Sequence, residues 1–234
     1  MSITENPIGA RFGRRINSFV IVRSKKRAHA SATLLDGEKY PHRMGIYGHF
    51  LVASIVTKEF DPNITKYEPN VNFEQQDAIP LEQRAIDPYV PIVSTFLDKT
   101  ERWELCAEDE DAAPLRSDRL HRVKERAEAA GAQFSVFTEN DAKRVGQRCA
   151  NSLILNAMIR GAPVELYDYR IEHEAIIDVV MRRGRTNLLE LLEVVECDPA
   201  KVMSETARLI RDGIVRVDID RKRFSLVSAL ELNG

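Results

Sequence analysis

The strongest constraint on the fold is a change of hydrophobic period between residues 47 and 109. Residues 47–60 read YGHFLVASIVTKEF, with apolar side chains at helical spacing, and the DPN that follows is a helix stop. Residues 89–109 read YVPIVSTFLDKTERWELCAED, in which two apolar runs flank a charged turn. These runs predict two buried strands after an amphipathic helix.

The segments between and after these elements also predict strands and helices in turn. Between them, Ile64, Lys66 and Glu68 alternate against Tyr67, which is a strand pattern. Three further segments predict a helix over 116–131 that ends at a glycine, a buried strand over 132–139 and a helix pair over 140–161. This order predicts an α/β fold in which helices flank a mixed sheet, with a domain boundary at the Gly-Ala-Pro of residues 161–163.

The texture changes over residues 164–234. Three short helices are predicted, and the last begins at Asp198-Pro199 and ends at Gly213. Two alternating strands around the turn DRK follow, so the elements are those of a small winged helix-turn-helix domain. Such a domain either binds DNA or docks a protein. The DNA hypothesis uses cations of the third helix and of the wing: Lys201, Arg208, Arg211, Arg221, Lys222 and Arg223.

The charge balance of residues 164–234 favours protein docking over DNA binding. This segment has 11 Lys and Arg against 14 Asp and Glu, and Glu205 lies at the centre of the third helix. The N-terminal segment, residues 1–36, is different, because no acidic residue lies between Glu5 and Asp36. Cations accumulate there at Arg11, Arg14, Arg15, Arg23, Lys25, Lys26 and Arg27. This basic arm or strand region either follows a phosphate backbone or is a solvated surface strand.

Composition limits the classes of protein. The 234-residue chain has a net charge of -2 and three widely separated cysteines, with no C-x-x-C pair. A disulfide framework or zinc site is therefore not expected, and the cysteines fit a reducing cytoplasm. No apolar run approaches the ~20 residues of a membrane helix, so we expect a cytoplasmic protein without a membrane partner.

Several stretches carry a resemblance to the TnsA family, the endonuclease subunit of heteromeric transposases. The similar segments read EFDPNITKYEPNVNF, AAGAQFSVFTENDAKRVGQRCANSLIL, TNLLELLEVV and MSETARLIRDGIVRVDIDRKRFSLVS. The resemblance implies a restriction-endonuclease-like domain of the PD-(D/E)xK kind, here residues 37–163, joined to a winged-helix domain, residues 164–234. It also implies DNA, the transposase and an AAA+ ATPase regulator as partners.

The family's catalytic pattern is a Glu on the first helix, an Asp on one strand, and a Gln or Glu two residues before a Lys on the next. Carboxylates of this kind bind Mg²⁺ through oxygen. In this sequence the strand positions hold Ile92, Glu104 and Cys106, and the helix position holds His49, Phe50 or Leu51, of which Leu51 is assigned to the pocket. Only Glu104 is a candidate ligand, and a weak one, so the resemblance implies a degenerate nuclease pocket that binds no cofactor.

Three hypotheses remain open. The first is a catalytically degenerate TnsA-like subunit that binds DNA or transposon ends and docks a transposase or an AAA+ regulator. The second is an active endonuclease whose Mg²⁺ site is rebuilt by Asp87, Asp98 or Glu108. The third is a DNA-binding regulator in which the winged helix reads the DNA.

Overall fold

The computed structural model describes residues 19–23, 32–35, 39, 43–47, 49–69, 91–106, 114–163 and 166–234. The chain forms two compact units. The first contains the described residues up to 55 and those of 64–143, and the second contains 56–63 and 144–234. The sequence predicts a domain boundary at residues 161–163. Because helix 146–161 packs within the second unit, that unit begins earlier in the chain than the predicted winged-helix domain.

The first unit begins with a three-stranded sheet. Its strands are β1 (Phe19–Arg23), β2 (Ala32–Leu35) and β3 (Arg43–Tyr47), in the order β1-β3-β2. Strand β1 pairs parallel to β3, and β2 pairs antiparallel to it. Helix α1 (His49–Glu59) follows, as the apolar spacing predicts, and the division between the units falls within it.

A four-stranded mixed sheet completes the first unit. Its strands are β4 (Ile64–Pro69), β5 (Ile92–Phe96), β6 (Glu101–Cys106) and β7 (Gln133–Phe137), in sequence order. The β6–β7 pair is parallel and the others are antiparallel. Helices α2 (Pro114–Ala129) and α3 (Glu139–Arg144) accompany the sheet. The predicted α/β class, with a mixed sheet flanked by helices, is confirmed.

Strand β4 departs from the predicted alternation. The register shifts between Ile64 and Lys66, so an irregularity of the β-bulge kind interrupts the pairing with β5. Both Ile64 and Tyr67 are buried, whereas Lys66 and Glu68 are exposed. The expectation that Ile64 shares a face with Lys66 and Glu68 is therefore wrong, because one extra residue reverses the alternation of side chains.

The second unit contains four helices and short strands around one apolar core. Its elements are α4 (Gly146–Gly161), α5 (Arg170–Arg183), β8 (Thr186–Asn187), α6 (Leu188–Val194), α7 (Pro199–Arg211), β9 (Val215–Arg216) and β10 (Ala229–Leu232). The strands form a sheet in the order β8-β10-β9. The core joins Leu155 of α4, Ile176 of α5, Leu191 of α6 and Val202 of α7.

The predicted start of α7 is confirmed, whereas the helix ends at Arg211 with Asp212, not the predicted Gly213, as its C-cap. The side chain of Asp198 accepts hydrogen bonds from the backbone N–H groups of Ala200 and Lys201, and so caps the free donors of the first turn. After the helix, Gly213 has a φ of 73°, a left-handed conformation that favours glycine. The predicted final hairpin is shorter than expected, because residues 217–228 between its strands form turns and irregular backbone.

Candidate functional site

Glu104 is the meeting point of three elements in the first unit. The register of β5 and β6 places Ile92 opposite Glu104, and the register of β6 and β7 places Ser135 opposite it on the other side. From α1, Ser54 Oγ donates a 2.6 Å hydrogen bond to Glu104 Oε1. Helix α1 and the sheet thus converge on this half-buried carboxylate. We call Glu104 together with Ser54, Ile92 and Ser135 the Glu104 face.

The other two residues of the predicted pocket lie close in sequence to these. Leu51 is buried and precedes Ser54 by one helical turn on α1. Cys106 follows Glu104 by two residues on β6, so the strand alternation puts both on the same face of the sheet. In the register of the sheet Cys106 pairs with Phe137 of β7. The neighbours that strand pairing, strand alternation and hydrogen bonding give to Glu104 are therefore Ile92, Ser135, Cys106 and Ser54.

This set of side chains does not fit a Mg²⁺ ion. Magnesium requires near-octahedral oxygen ligands, normally with one or two carboxylates and several waters. Glu104 already accepts a hydrogen bond from Ser54, and the strand position beside it holds the hydrocarbon of Ile92. Within the described ranges, no three or more His, Cys, Asp or Glu side chains gather as a metal site would need.

Asp98 is one of the three acids that the second hypothesis uses to rebuild a metal site. It lies in the exposed turn between β5 and β6, where its Oδ1 accepts hydrogen bonds from Thr100 Oγ1 at 2.6 Å and Thr100 N at 2.9 Å. The side-chain bond from Thr100, and then the backbone bond, hold the pKa of Asp98 below its ordinary value. Asp98 is therefore a turn residue. Asp87 and Glu108 lie outside the described residues.

In the second unit, the arginines of α7 are buried. Arg208 is 5% exposed and Arg211 is 1% exposed. Arg208 donates a 2.8 Å hydrogen bond from NH2 to the carbonyl oxygen of Ala162, and its guanidinium lies 4.2 Å from the centre of the Tyr169 ring. The hypothesis that Arg208 and Arg211 contact DNA is wrong, because both side chains are enclosed within the unit.

The environment of Arg211 explains how a buried cation is tolerated. Its Nε donates a 2.9 Å hydrogen bond to Asp212 Oδ1, and its NH1 lies 3.9 Å from Glu59 Oε1, which is also 1% exposed. A buried charge needs such partners, since its desolvation is otherwise costly. The third candidate, Lys201, is half-buried, 3.4 Å from Glu172 Oε1.

The cations of the wing are exposed. Arg221, Lys222 and Arg223 follow one another in a turn over residues 218–224, which we call the basic turn. Asp218 Oδ1 accepts a 3.1 Å hydrogen bond from the backbone N–H of Arg221, an arrangement that stabilises the turn locally. These three side chains can therefore reach a ligand in solvent.

The backbone of the basic turn is held by one buried amide from α4. Asn151, which is 0% exposed, donates from Nδ2 to the carbonyl oxygens of Ile219 and Lys222, both at 2.7 Å. Its Oδ1 accepts a 2.8 Å hydrogen bond from the backbone N–H of Phe224. Sequence reasoning missed this residue. The available signal is an Asn one helical turn before the core residue Leu155, where an apolar side chain is the usual choice.

A separate pocket lies beside the N-terminal end of α5. Its volume is about 360 Å³, and its lining consists of Tyr167, Asp168, Tyr169, Arg170, His173, Glu174 and Glu205. His173 Nδ1 lies 2.8 Å from Glu205 Oε1. Hydrogen bonds from Arg170 hold the pKa of Asp168 below its ordinary value, and the same contact raises the pKa of Arg170.

The predicted basic arm falls mainly outside the described residues. Arg23 is the last residue of β1. The other six cations are not among the described residues: Arg11, Arg14, Arg15, Lys25, Lys26 and Arg27. The role assigned to this arm stays a prediction.

Comparison with known proteins adds no identity. No protein-family model matches the chain, and no curated protein matches it. Among the described helices, none combines the length and apolar character needed to span a membrane.

Proposed function

We propose that this chain is a TnsA-like transposition subunit that binds DNA and docks partner transposition proteins without cleaving DNA itself. The observation that carries the proposal is the Glu104 face, where β5 presents Ile92 opposite Glu104 and α1 presents Ser54 to its carboxylate. A helix and sheet that converge on one acid resemble the layout of a nuclease site. The hydrocarbon and hydroxyl beside that acid cannot replace a second carboxylate.

The chemistry explains why the missing groups matter. Metal-assisted hydrolysis of a phosphodiester needs an ion that stabilises the attacking and leaving oxygens. A single carboxylate that already accepts a hydroxyl bond is a poor ligand set for such an ion. Cys106 cannot supply the positive charge of the lysine that the family pattern has at this position, two residues after the acid.

The second unit supports a winged-helix interpretation. Its elements run α5, β8, α6, α7, β9 and β10, and β10 lies between β8 and β9 in the sheet. Three helices and a small sheet in this order are typical of a winged helix-turn-helix. In such domains the third helix often enters the major groove. Here α7 buries Arg208 and Arg211, which favours DNA contact through the basic turn instead.

Contact through the basic turn would be made with phosphates. Arg221, Lys222 and Arg223 are consecutive exposed cations, whereas base reading needs side chains that project into a groove. Phosphate contacts release condensed counterions, so the affinity should be tolerant of sequence and should fall steeply with salt. The basic arm of residues 11–27 would add contacts of the same kind.

The partner-docking part of the proposal is supported by the surface beside α5. Tyr167, which is 44% exposed, lines the 360 Å³ pocket, and two residues near it in sequence, Leu166 and Ile171, are each 72% exposed. Three exposed apolar side chains within six residues of the chain, beside a pocket, are offered as the docking surface of this proposal. The partners expected from the resemblance are the strand-transfer transposase and the AAA+ regulator.

The test of DNA binding is a salt titration with labelled duplex DNA, followed by fluorescence anisotropy. Replacing Arg221, Lys222 and Arg223 by Ala should flatten the slope of log K against log salt by about one unit per lost phosphate contact. A matched control removes the same charge from exposed arginines that each pair with a carboxylate: Arg170, Arg182 and Arg216. Equal slopes for the two triple variants would contradict the proposal.

The same preparations distinguish the other two hypotheses. Nicking of duplex DNA that requires Mg²⁺ or Mn²⁺ and disappears in Glu104→Ala would identify an active endonuclease. Sequence-specific binding without any transposase, unaffected by loss of the basic turn, would identify a regulator instead.

A further inference from the structure

The basic turn owes its backbone conformation to a residue far from it in sequence. Asn151 bonds the carbonyl oxygens of Ile219 and Lys222 and the N–H of Phe224, so it contacts the backbone on both sides of the cations. The three bonds use both Nδ2 hydrogens and the Oδ1 of one fully buried amide. A side chain bonded in this way fixes the path of the turn.

A second residue of α4 acts on the charge of the same turn. Arg148 precedes Asn151 by three residues, and its NH1 lies 3.5 Å from Asp220 Oδ1. Its NH2 donates a 3.1 Å hydrogen bond to the carbonyl oxygen of Phe60. Because Arg148 offsets the charge of Asp220, the adjacent cations stay electropositive toward an anionic ligand.

We infer that α4, through Asn151, positions the basic turn for the phosphate backbone of duplex DNA. The inference rests on the proposed function and adds that affinity depends on the shape of the turn as well as its charge. A turn that is already ordered loses less conformational entropy when it binds. Asn151 is a positioning residue in this account, since it contacts the turn and not the DNA.

The variant that tests this is Asn151→Asp. It keeps the size of the side chain and an oxygen that can accept from the N–H of Phe224. It replaces the Nδ2 donor with an oxygen that faces the carbonyl oxygens of Ile219 and Lys222, so the turn should be released. The matched control is Ser204→Ala, which removes buried hydrogen bonds to the carbonyl oxygens of Ile159 and Ala162 in the same unit.

The first measurement is affinity of the full chain for a labelled duplex over a range of KCl concentrations. Asn151→Asp should raise Kd about five- to tenfold at each salt concentration, because the released turn must be ordered on binding. The slope of log K against log salt should stay unchanged, since every cation is still present. Ser204→Ala should bind like the wild type.

The second measurement needs no DNA. Trypsin cleaves after Lys and Arg, and cleavage of a folded segment requires local opening. Asn151→Asp should speed cleavage after Arg221, Lys222 and Arg223 several-fold, as followed by mass spectrometry, whereas Ser204→Ala should leave these sites as slow as in the wild type.

The two measurements separate the two ways of failing. A wild-type chain that does not bind duplex DNA removes the proposed function, and the inference with it. Binding that weakens on loss of the three cations but is unchanged in Asn151→Asp overturns the inference alone. Equal effects of Asn151→Asp and Ser204→Ala on Kd or on cleavage overturn it as well.

Discussion

The Glu104 face and the basic turn are both held by a hydrogen bond from a buried helix side chain, but the bond leaves the charged group accessible only in the basic turn. In each, a buried polar side chain from a helix bonds a neighbouring segment: Ser54 bonds the carboxylate of Glu104, and Asn151 bonds the backbone around Lys222. The hydroxyl bonds the charged group itself, whereas the amide bonds the backbone of the basic turn and leaves the three cations exposed. The bond from Ser54 therefore occupies the charged group of Glu104, whereas the bonds from Asn151 leave the charged groups of the basic turn able to contact a ligand.

This comparison assigns different tasks to the two units. In the Glu104 face, the buried Ile92 lies opposite the acid, and the carboxylate accepts a hydrogen bond from Ser54 within the protein. The basic turn is exposed, and its three cations have their backbone, but not their charges, fixed by the protein. We expect substitutions in the Glu104 face to change the free energy of unfolding, and substitutions in the basic turn to change the affinity for DNA.

The largest difference in the free energy of unfolding is expected between two arginine substitutions in the second unit, one buried and one exposed. Arg211→Ala should lower the free energy of unfolding by about 3 to 5 kcal/mol, because it removes the cation facing the buried Glu59. Arg221→Ala, in the basic turn, should change stability by less than about 0.5 kcal/mol. Urea unfolding followed by circular dichroism measures both. Similar losses would mean that Arg221 also has a structural role.

A pair of helix-ending glycines compares the units directly. Gly131 in the first unit has a φ of 72° and Gly213 in the second a φ of 73°, so alanine meets similar backbone strain at both. A Cβ at Gly213 would lie 2.5 Å from Pro62 Cβ, whereas one at Gly131 has open space. Gly213→Ala should cost about 2 to 3 kcal/mol and Gly131→Ala about 1 kcal/mol. Equal thermal shifts would contradict the close approach to Pro62.

Two serines sharpen the account of the Glu104 face. Ser54→Ala removes the 2.6 Å bond to Glu104 and should cost about 1 to 2 kcal/mol. Ser94 is as deeply buried, but within the described part of the chain its Oγ has no hydrogen-bond partner, so Ser94→Ala should be close to neutral. Fluorescence of Trp103, the single tryptophan, reports unfolding of this unit. If Ser54→Ala lowered the free energy of unfolding no more than Ser94→Ala does, the stabilising role given to the Ser54 hydroxyl would be contradicted.

The smallest effect concerns the β5–β6 turn. The Thr100 hydroxyl holds the pKa of Asp98 below its ordinary value, so the charged form stabilises the folded state above the ordinary carboxylate pKa. That contribution is lost as the pH falls through the lowered pKa. Thr100→Ala should raise the pKa of Asp98 in an NMR titration and leave Asp168 unchanged. Its stability deficit at neutral pH should disappear in acid, and a deficit independent of pH would contradict this.

Sequence patterns predicted the helices and strands well where periodicity and caps agree. Helix α1 follows from its apolar spacing, and the start of α7 follows from Asp198-Pro199. The irregularity in β4 was not visible, because an extra residue leaves the composition of a strand unchanged.

The candidate sites were harder to predict than the elements. The resemblance singled out Ile92 and Glu104, and the strand register pairs these two residues, but their correspondence to a nuclease pocket stays a prediction. The burial of Arg208 and Arg211 could not be predicted from the sequence, since a charged residue on a helix is normally solvated. These two arginines depend on tertiary partners such as Ala162 and Glu59. Asn151 was missed for the same reason, because its bonds join residues about 70 positions apart.

The proposed function holds that Glu104, with Ser54 and Ile92 beside it, does not support metal-dependent cleavage of DNA. The most direct measurement is nicking of supercoiled plasmid by the purified chain with Mg²⁺ or Mn²⁺, alone and in the presence of a transposase and an AAA+ regulator. The wild type and Glu104→Ala should both leave the plasmid intact under conditions in which the wild type binds DNA. Metal-dependent nicking by the wild type that Glu104→Ala abolishes would contradict the account.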